Sequence, residues 1–190
     1  MNTRTFLTAL IVGCAAVASQ SANALVEVMG EGDARACYVA VETKEAPDVG
    51  IAICNRALTE ERINSRDRAS TMVNRGVLEF AKGQTTEAMA DFEAGIGLMP
   101  DVGDAYVDRG VLLISLSRYD EALADIKKGI DLGLSSPHLG YYNRAMAEDL
   151  MGRYLDAYHD YKHVLELEPG YSQASERLKR FTVTITPAPR

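Results

Sequence analysis

Residues 74–80 read NRGVLEF, residues 108–114 read DRGVLLI, and residues 143–149 read NRAMAED. The pattern returns after 34 residues and again after 35. Self-similarity at such a period marks a repeat architecture, in which each copy is one supersecondary unit. Working outward, the segments 69–102, 103–136 and 138–171 superpose. Gly76, Gly110 and Ala145 coincide, as do Ala88, Ala122 and Ala157, and then Phe92, Ile126 and Tyr161. Gly83, Ser117 and Gly152 mark a turn inside each unit. Pro100 and Pro169 close the first and third units, the second has Leu134 there, and Pro137 is one extra residue between units two and three.

Each unit reads as two helices. In the first, Met72, Val73, Val77, Leu78 and Phe80 precede the turn at Gly83, and Ala88, Met89, Phe92 and Ile96 follow it at helical spacing. A small residue at Gly76 facing a small residue at Ala88 lets the two helices cross closely, and Phe92 fills the space beside the crossing. The terminal proline cannot continue the second helix. The expected fold class is all-α, a short solenoid of helical hairpins with a C-terminal capping helix.

These positions resemble the tetratricopeptide repeat. Its small-residue, Ala, aromatic and Pro positions are matched by Gly76, Ala88, Phe92 and Pro100, by Gly110, Ala122 and Ile126, and by Ala145, Ala157, Tyr161 and Pro169. Two departures stand out. The family's leading Trp is replaced by Met72, Tyr106 and Tyr141, and its Leu before the small residue by Arg75, Arg109 and Arg144. The resemblance implies a right-handed superhelix whose first helices line an inner surface that binds extended or helical peptides. Transferred by register, the inward residues are Val73, Val77, Phe80, Val107, Val111, Ile114, Tyr142 and Met146. That groove reads as apolar. The basic clamp with which some members grip a C-terminal carboxylate is missing, for Asn74 and Asn143 stand near its asparagine positions but no Lys does. Two occupants stay open: a separate protein or peptide, or the chain itself, through Leu25–Met29 or through self-association into a scaffold.

The flanks extend this plan. Residues 33–64 read as a degenerate hairpin, with helices over Ala34–Val41 and Val49–Leu58 on either side of Pro47. Cys37 and Cys54 fall there where Arg75 and Phe92 fall in the first clear unit, on facing helices, so a disulfide between them is geometrically reasonable. Tyr171, Ala174, Leu178 and Phe181 share one face of a helix over 172–181, which would cover the last apolar surface of the array. Residues 182–190 read as a loose tail. At the other end, Phe6–Ala18 is apolar and uncharged, and Ala22-Asn23-Ala24 is a small-residue exit, so residues 1–24 read as a secretory signal peptide and the protein as exported and periplasmic. A run of this length is too short to span a bilayer. A second reading stays open, since Ile11-Val12-Gly13-Cys14 resembles a lipobox that would anchor the chain through Cys14. Cleavage after Ala24 leaves Cys37 and Cys54 as two thiols in an exported chain, which again suggests one disulfide.

Charge and motifs narrow the function. The net charge is −7, and losing the leader removes the one cation Arg4 and leaves −8. No Lys/Arg stripe or run stands out, so neither nucleic acid nor an anionic membrane is an expected partner. Arg75, Arg109 and Arg144 recur with Asp91, Asp125 and Asp160, which suggests pairing between helices because a guanidinium fork takes a carboxylate bidentately. An anion-binding ladder of the three arginines is the alternative. His159 and His163 share a helix face, as some metal ligands do, near Asp156 and Asp160, but that face reads as solvated, and His138 reads as a loop residue. The chain lacks G-x-S-x-G, H-E-x-x-H and a phosphate-binding Gly loop, so neither catalysis nor a cofactor is expected. The function that remains is protein–protein interaction.

Overall fold

The computed structural model describes residues 4–9, 32–44, 46–60 and 62–186. Among them are nine helices and one two-stranded ribbon. Helices α1 (Asp33–Glu42) and α2 (Pro47–Glu60) form the first hairpin. Three more follow: α3 (Ser65–Lys82) with α4 (Thr85–Leu98), α5 (Gly103–Ser115) with α6 (Tyr119–Leu132), and α7 (Pro137–Leu150) with α8 (Tyr154–Leu167). A short α9 (Ser172–Leu178) ends the array. Each helix packs on the next, and α1, α3, α5 and α7 also touch in series, as stacked hairpins require.

Local chemistry sets the breaks. The Asn64 side chain accepts from the Asp67 backbone N–H at 2.8 Å and so begins α3. Gly83 ends it at φ 85°, while the N–H groups of Gly83 and Gln84 donate to Phe80 and Glu79 carbonyls at 2.9 Å. This is the left-handed helix stop that glycine adopts without a steric penalty. Gly152 repeats it in the last hairpin, whereas the middle hairpin forces Ser117 to φ 58°. Inside each hairpin the close crossing depends on the small residue. A Cβ on Gly76 would lie 2.9 Å from the Phe92 ring, and one on Gly110 would lie 2.6 Å from Ile126 Cγ1. Phe92, Ile126 and Tyr161 are among the largest fully buried side chains, each contributing on the order of 2 kcal/mol by leaving water.

Two flanking expectations change. His138, expected in a loop, is in the first turn of α7. Residues 182–186, expected as a loose tail, lie in strand β2 (Phe181–Thr186), which pairs antiparallel with β1 (Arg4–Ala9). The alternating FTVTIT pattern suits an extended chain, and a distant partner strand satisfies its backbone groups. The capping helix therefore stops at Leu178, but Tyr171, Ala174, Leu178 and Phe181 do pack on Tyr142, Tyr161 and Val164. Leu25–Met29, Cys14 and residues 187–190 lie outside the described residues.

Candidate functional site

The inner face differs from the open apolar groove expected from register. Val73, Val77, Val107, Val111, Ile114 and Tyr142 are all buried, and only Phe80 and Met146 are half-buried. The physical reason is the depth of the hairpin seam. Val73 points at its own second helix, where a Cβ on Gly95 would stand 2.6 Å from its Cγ2, and Val107 does the same toward Gly129 at 2.8 Å. The Tyr142 ring lies 5.7 Å from Tyr161 and 5.2 Å from Tyr171. Ile114 packs with Leu113, Ala122 and Ile126, and with Ala147 of the next hairpin. These residues therefore hold helices together. The inner-face positions that keep partial exposure, Phe80 and Met146, belong to the first and third repeats.

The recurring ions form three bidentate clasps within hairpins. Arg75 Nε and Nη2 donate to Asp91 at 2.6 and 2.7 Å, Arg109 to Asp125 at 2.7 and 2.9 Å, and Arg144 to Asp160 at 2.6 and 2.9 Å. Hydrogen bonding to the carboxylate raises each guanidinium's already high pKa further, against the opposing effect of burial. With the Nε–Nη2 edge of each fork taken by an aspartate, the arginines do not make an open anion ladder. Arg75 also donates through Nη1 to Asn55 of α2 at 2.6 Å, tying the degenerate hairpin to the first repeat.

Sequence reasoning missed two members of this seam. Glu79 and Glu148 sit four residues after Arg75 and Arg144, facing the same aspartates, and Leu113 takes that place in the middle hairpin. Burial, reinforced by the Asp91 and Asp160 charges, pushes both glutamates up to about 7. The signal was available as an acid in register in two units of three. A second missed feature is a row of leucines. Leu98, Leu132 and Leu167 are the last residues of α4, α6 and α8, and all three are exposed.

The remaining candidates are placed as follows. Cys37 and Cys54 are fully buried and form a disulfide between α1 and α2. His163 lies edge-on to the Tyr141 ring at 4.4 Å and 2.9 Å from Glu166, and His159 is exposed beside Tyr158. Among the described residues no three His, Cys, Asp or Glu side chains are grouped to hold a metal ion, and no helix is long and apolar enough to cross a membrane. A cleft of about 490 Å³ opens between α8 and the α9–β2 segment, lined by Tyr158, Lys162, Leu165, Glu166, Leu178 and Phe181.

Known proteins agree with this architecture. A tetratricopeptide-repeat family model matches residues 103–132 and 140–171. A comparison with curated proteins gave no match. Among solved structures, the Arabidopsis OM64 TPR domain is 23% identical, with a TM-score of 0.58 over 62% of this chain and 96% of that one. MamA is 20% identical, with a TM-score of 0.59 over 72% of this chain and 77% of that one. The second TPR domain of human RPAP3, solved in complex with the HSP70 peptide SGPTIEEVD, is 26% identical, with a TM-score of 0.56 over 61% of this chain and 96% of that one. The first TPR of Spaghetti (RPAP3), bound to the HSP90 peptide SRMEEVD, is 25% identical, with a TM-score of 0.57 over 62% and 91% of the two chains.

Proposed function

We propose that this chain, a tetratricopeptide-repeat protein, is an exported interaction module that holds a peptide or protein along the inner side of α3, α5 and α7. The observation that carries the reading is the shared superhelix of hairpins. Two of its similar structures were solved with short peptides bound, and the same succession of first helices runs through this array. Residues 1–24 act as the leader in this reading, so export would remove β1 and leave β2 without that partner, and the mature protein works in the periplasm. The ligand differs in chemistry from those acidic peptides. Asn74 and Asn143 stand near the asparagine positions of the clamp for acidic C-termini, but both are fully buried and no lysine of that clamp accompanies them. A neutral or basic segment suits this face better.

A second reading is a self-associating scaffold. It is favoured by the exposed leucines that recur at the ends of α4, α6 and α8, which offer apolar surface to a second copy. One experiment separates the two. A photo-crosslinker is placed at Phe80 or Met146 on the inner face, at Leu132 in the leucine row, and at Lys127 as an outer-face control, in the full-length chain expressed in its native cells. The first reading expects a heterologous adduct from the inner positions alone. The second expects adducts between copies from Leu132. Adducts from Lys127 alone would overturn both.

A further inference from the structure

The first and third repeats place more negative charge on the hairpin seam than the second. Glu79 is buried against α4, and its Oε2 reaches no hydrogen-bond donor among the described residues. Oε2 of Glu148 on α7 is buried and undonated in the same way. Neither glutamate has an arginine to itself. Arg75 is clasped on Asp91 through Nε and Nη2, and that Nε stands 3.8 Å from Glu79 Oε1. Arg144 is likewise committed to Asp160. Two carboxylates therefore share one guanidinium in each of these seams. The other charges nearby do not relieve this. Glu87 on α4 adds a negative charge near Glu79, and Lys82 at the end of α3 pairs with Asp48 of α2. Asp156 on α8 adds one near Glu148, and Arg153, the further cation there, reaches across to Asp120 of α6 at 3.3 Å. In the second repeat the equivalent residue is Leu113, buried with Ile126 and Ala122, and Arg109 has Asp125 alone.

A buried carboxylate oxygen without a donor is costly, whereas the protonated acid brings its own O–H and removes the like charge facing the aspartate. We propose that Glu79 and Glu148 are proton-operated latches: protonated, each closes its hairpin onto Asp91 or Asp160, and ionised, each repels that aspartate and loosens the seam, while the second repeat stays closed. The proton comes from solvent. The sign follows from linkage. An acid whose folded pKa lies above its unfolded value binds more protons in the folded state, so its contribution is complete below about 4.5 and is lost as pH rises through about 7. The two ends of the inner face thus soften above neutral pH around a fixed centre.

The test uses the full chain labelled with ¹³C in its glutamate carboxyls, titrated from acid to alkaline pH and paired with amide exchange resolved by helix. Two glutamates are expected to titrate near neutrality, one disappearing in Glu79→Gln and the other in Glu148→Gln. Protection of α4 and α8, corrected for intrinsic exchange, is expected to fall roughly tenfold across that range while α6 holds. Glu79→Leu, which copies the second repeat, should make α4 behave like α6 and serves if the Gln variant does not fold. All glutamates titrating in the ordinary carboxylate range would overturn the proposal. So would an equal fall in α6, or a fall in α4 that survives Glu79→Leu.

Discussion

Arg109→Ala tests whether the clasp is structural. The two charge-assisted bonds to Asp125 measure 2.7 and 2.9 Å, and the side chains keep 22% and 14% of their surface exposed. Breaking a fully buried pair from one side costs about 3–5 kcal/mol, and an exposed pair is worth about 1 kcal/mol or less. A seam at this depth falls between, so Arg109→Ala should cost about 2–3 kcal/mol. Part of that is lost packing of the guanidinium, whose Cζ lies 5.7 Å from the centre of the Tyr106 ring. Asp125→Ala should cost a similar amount by leaving the arginine unpaired. The double variant should cost less than the two added, with a coupling of about 1–2 kcal/mol. The molecule supplies its own control. Arg118 and Glu121 make the same fork at 2.7 and 2.6 Å, but with 47% and 59% of their side chains exposed. Same chemistry in water should give no measurable coupling. Urea unfolding of the four variants of each cycle, followed by far-UV circular dichroism, reads both. Additivity at Arg109–Asp125, or equal coupling in the two cycles, would show that burial of the fork does not hold the hairpin.

Reducing the Cys37–Cys54 bridge should cost about 3 kcal/mol, the chain-entropy value for a loop of this size, and calorimetry with and without reductant should show α1 and α2 melting before the three repeats. Ser117→Gly should stabilise the protein by about 0.5–1 kcal/mol, because Ser117 holds φ 58° where the other two repeats use glycine; an unchanged urea midpoint would mean that the turn is not strained. Val111→Glu should unfold the middle of the array rather than act as a clean binding variant, since Val111 is only 6% exposed; a folded variant of normal stability by circular dichroism would restore the open groove.

The hairpins were legible because their signals are local and triplicated. Gly76 against Phe92 and Arg75 against Asp91 keep the same separations in all three units, so register alone brings each pair together. The inner face was not legible in the same way. Helical periodicity says which side of α3 carries Val73 and Val77, but not how much of that side the paired helix covers. The clue lay on the other helix, where Gly95 and Gly129 make room for Val73 and Val107. The third repeat uses larger residues at both places, with Tyr142 on the first helix and Val164 on the second, both in one cluster. Strand β2 was hidden for a different reason. Its partner β1 lies at the other end of the chain, and no local pattern announces a pairing of that separation.

The replacement of leucine by arginine in this repeat has a consequence beyond stability. A leucine seam tolerates small slips between two helices, because dispersion contacts are numerous and undirected. A guanidinium fork on a carboxylate admits one register and one rotation, and the three clasps repeat it with nearly equal lengths. Each hairpin thereby keeps the same register, and variation is confined to the residue beside the clasp. With Glu79, Leu113 and Glu148 at that one place, three hairpins of common geometry acquire different responses to protons, so sensitivity can be set by a single side chain without redrawing the fold.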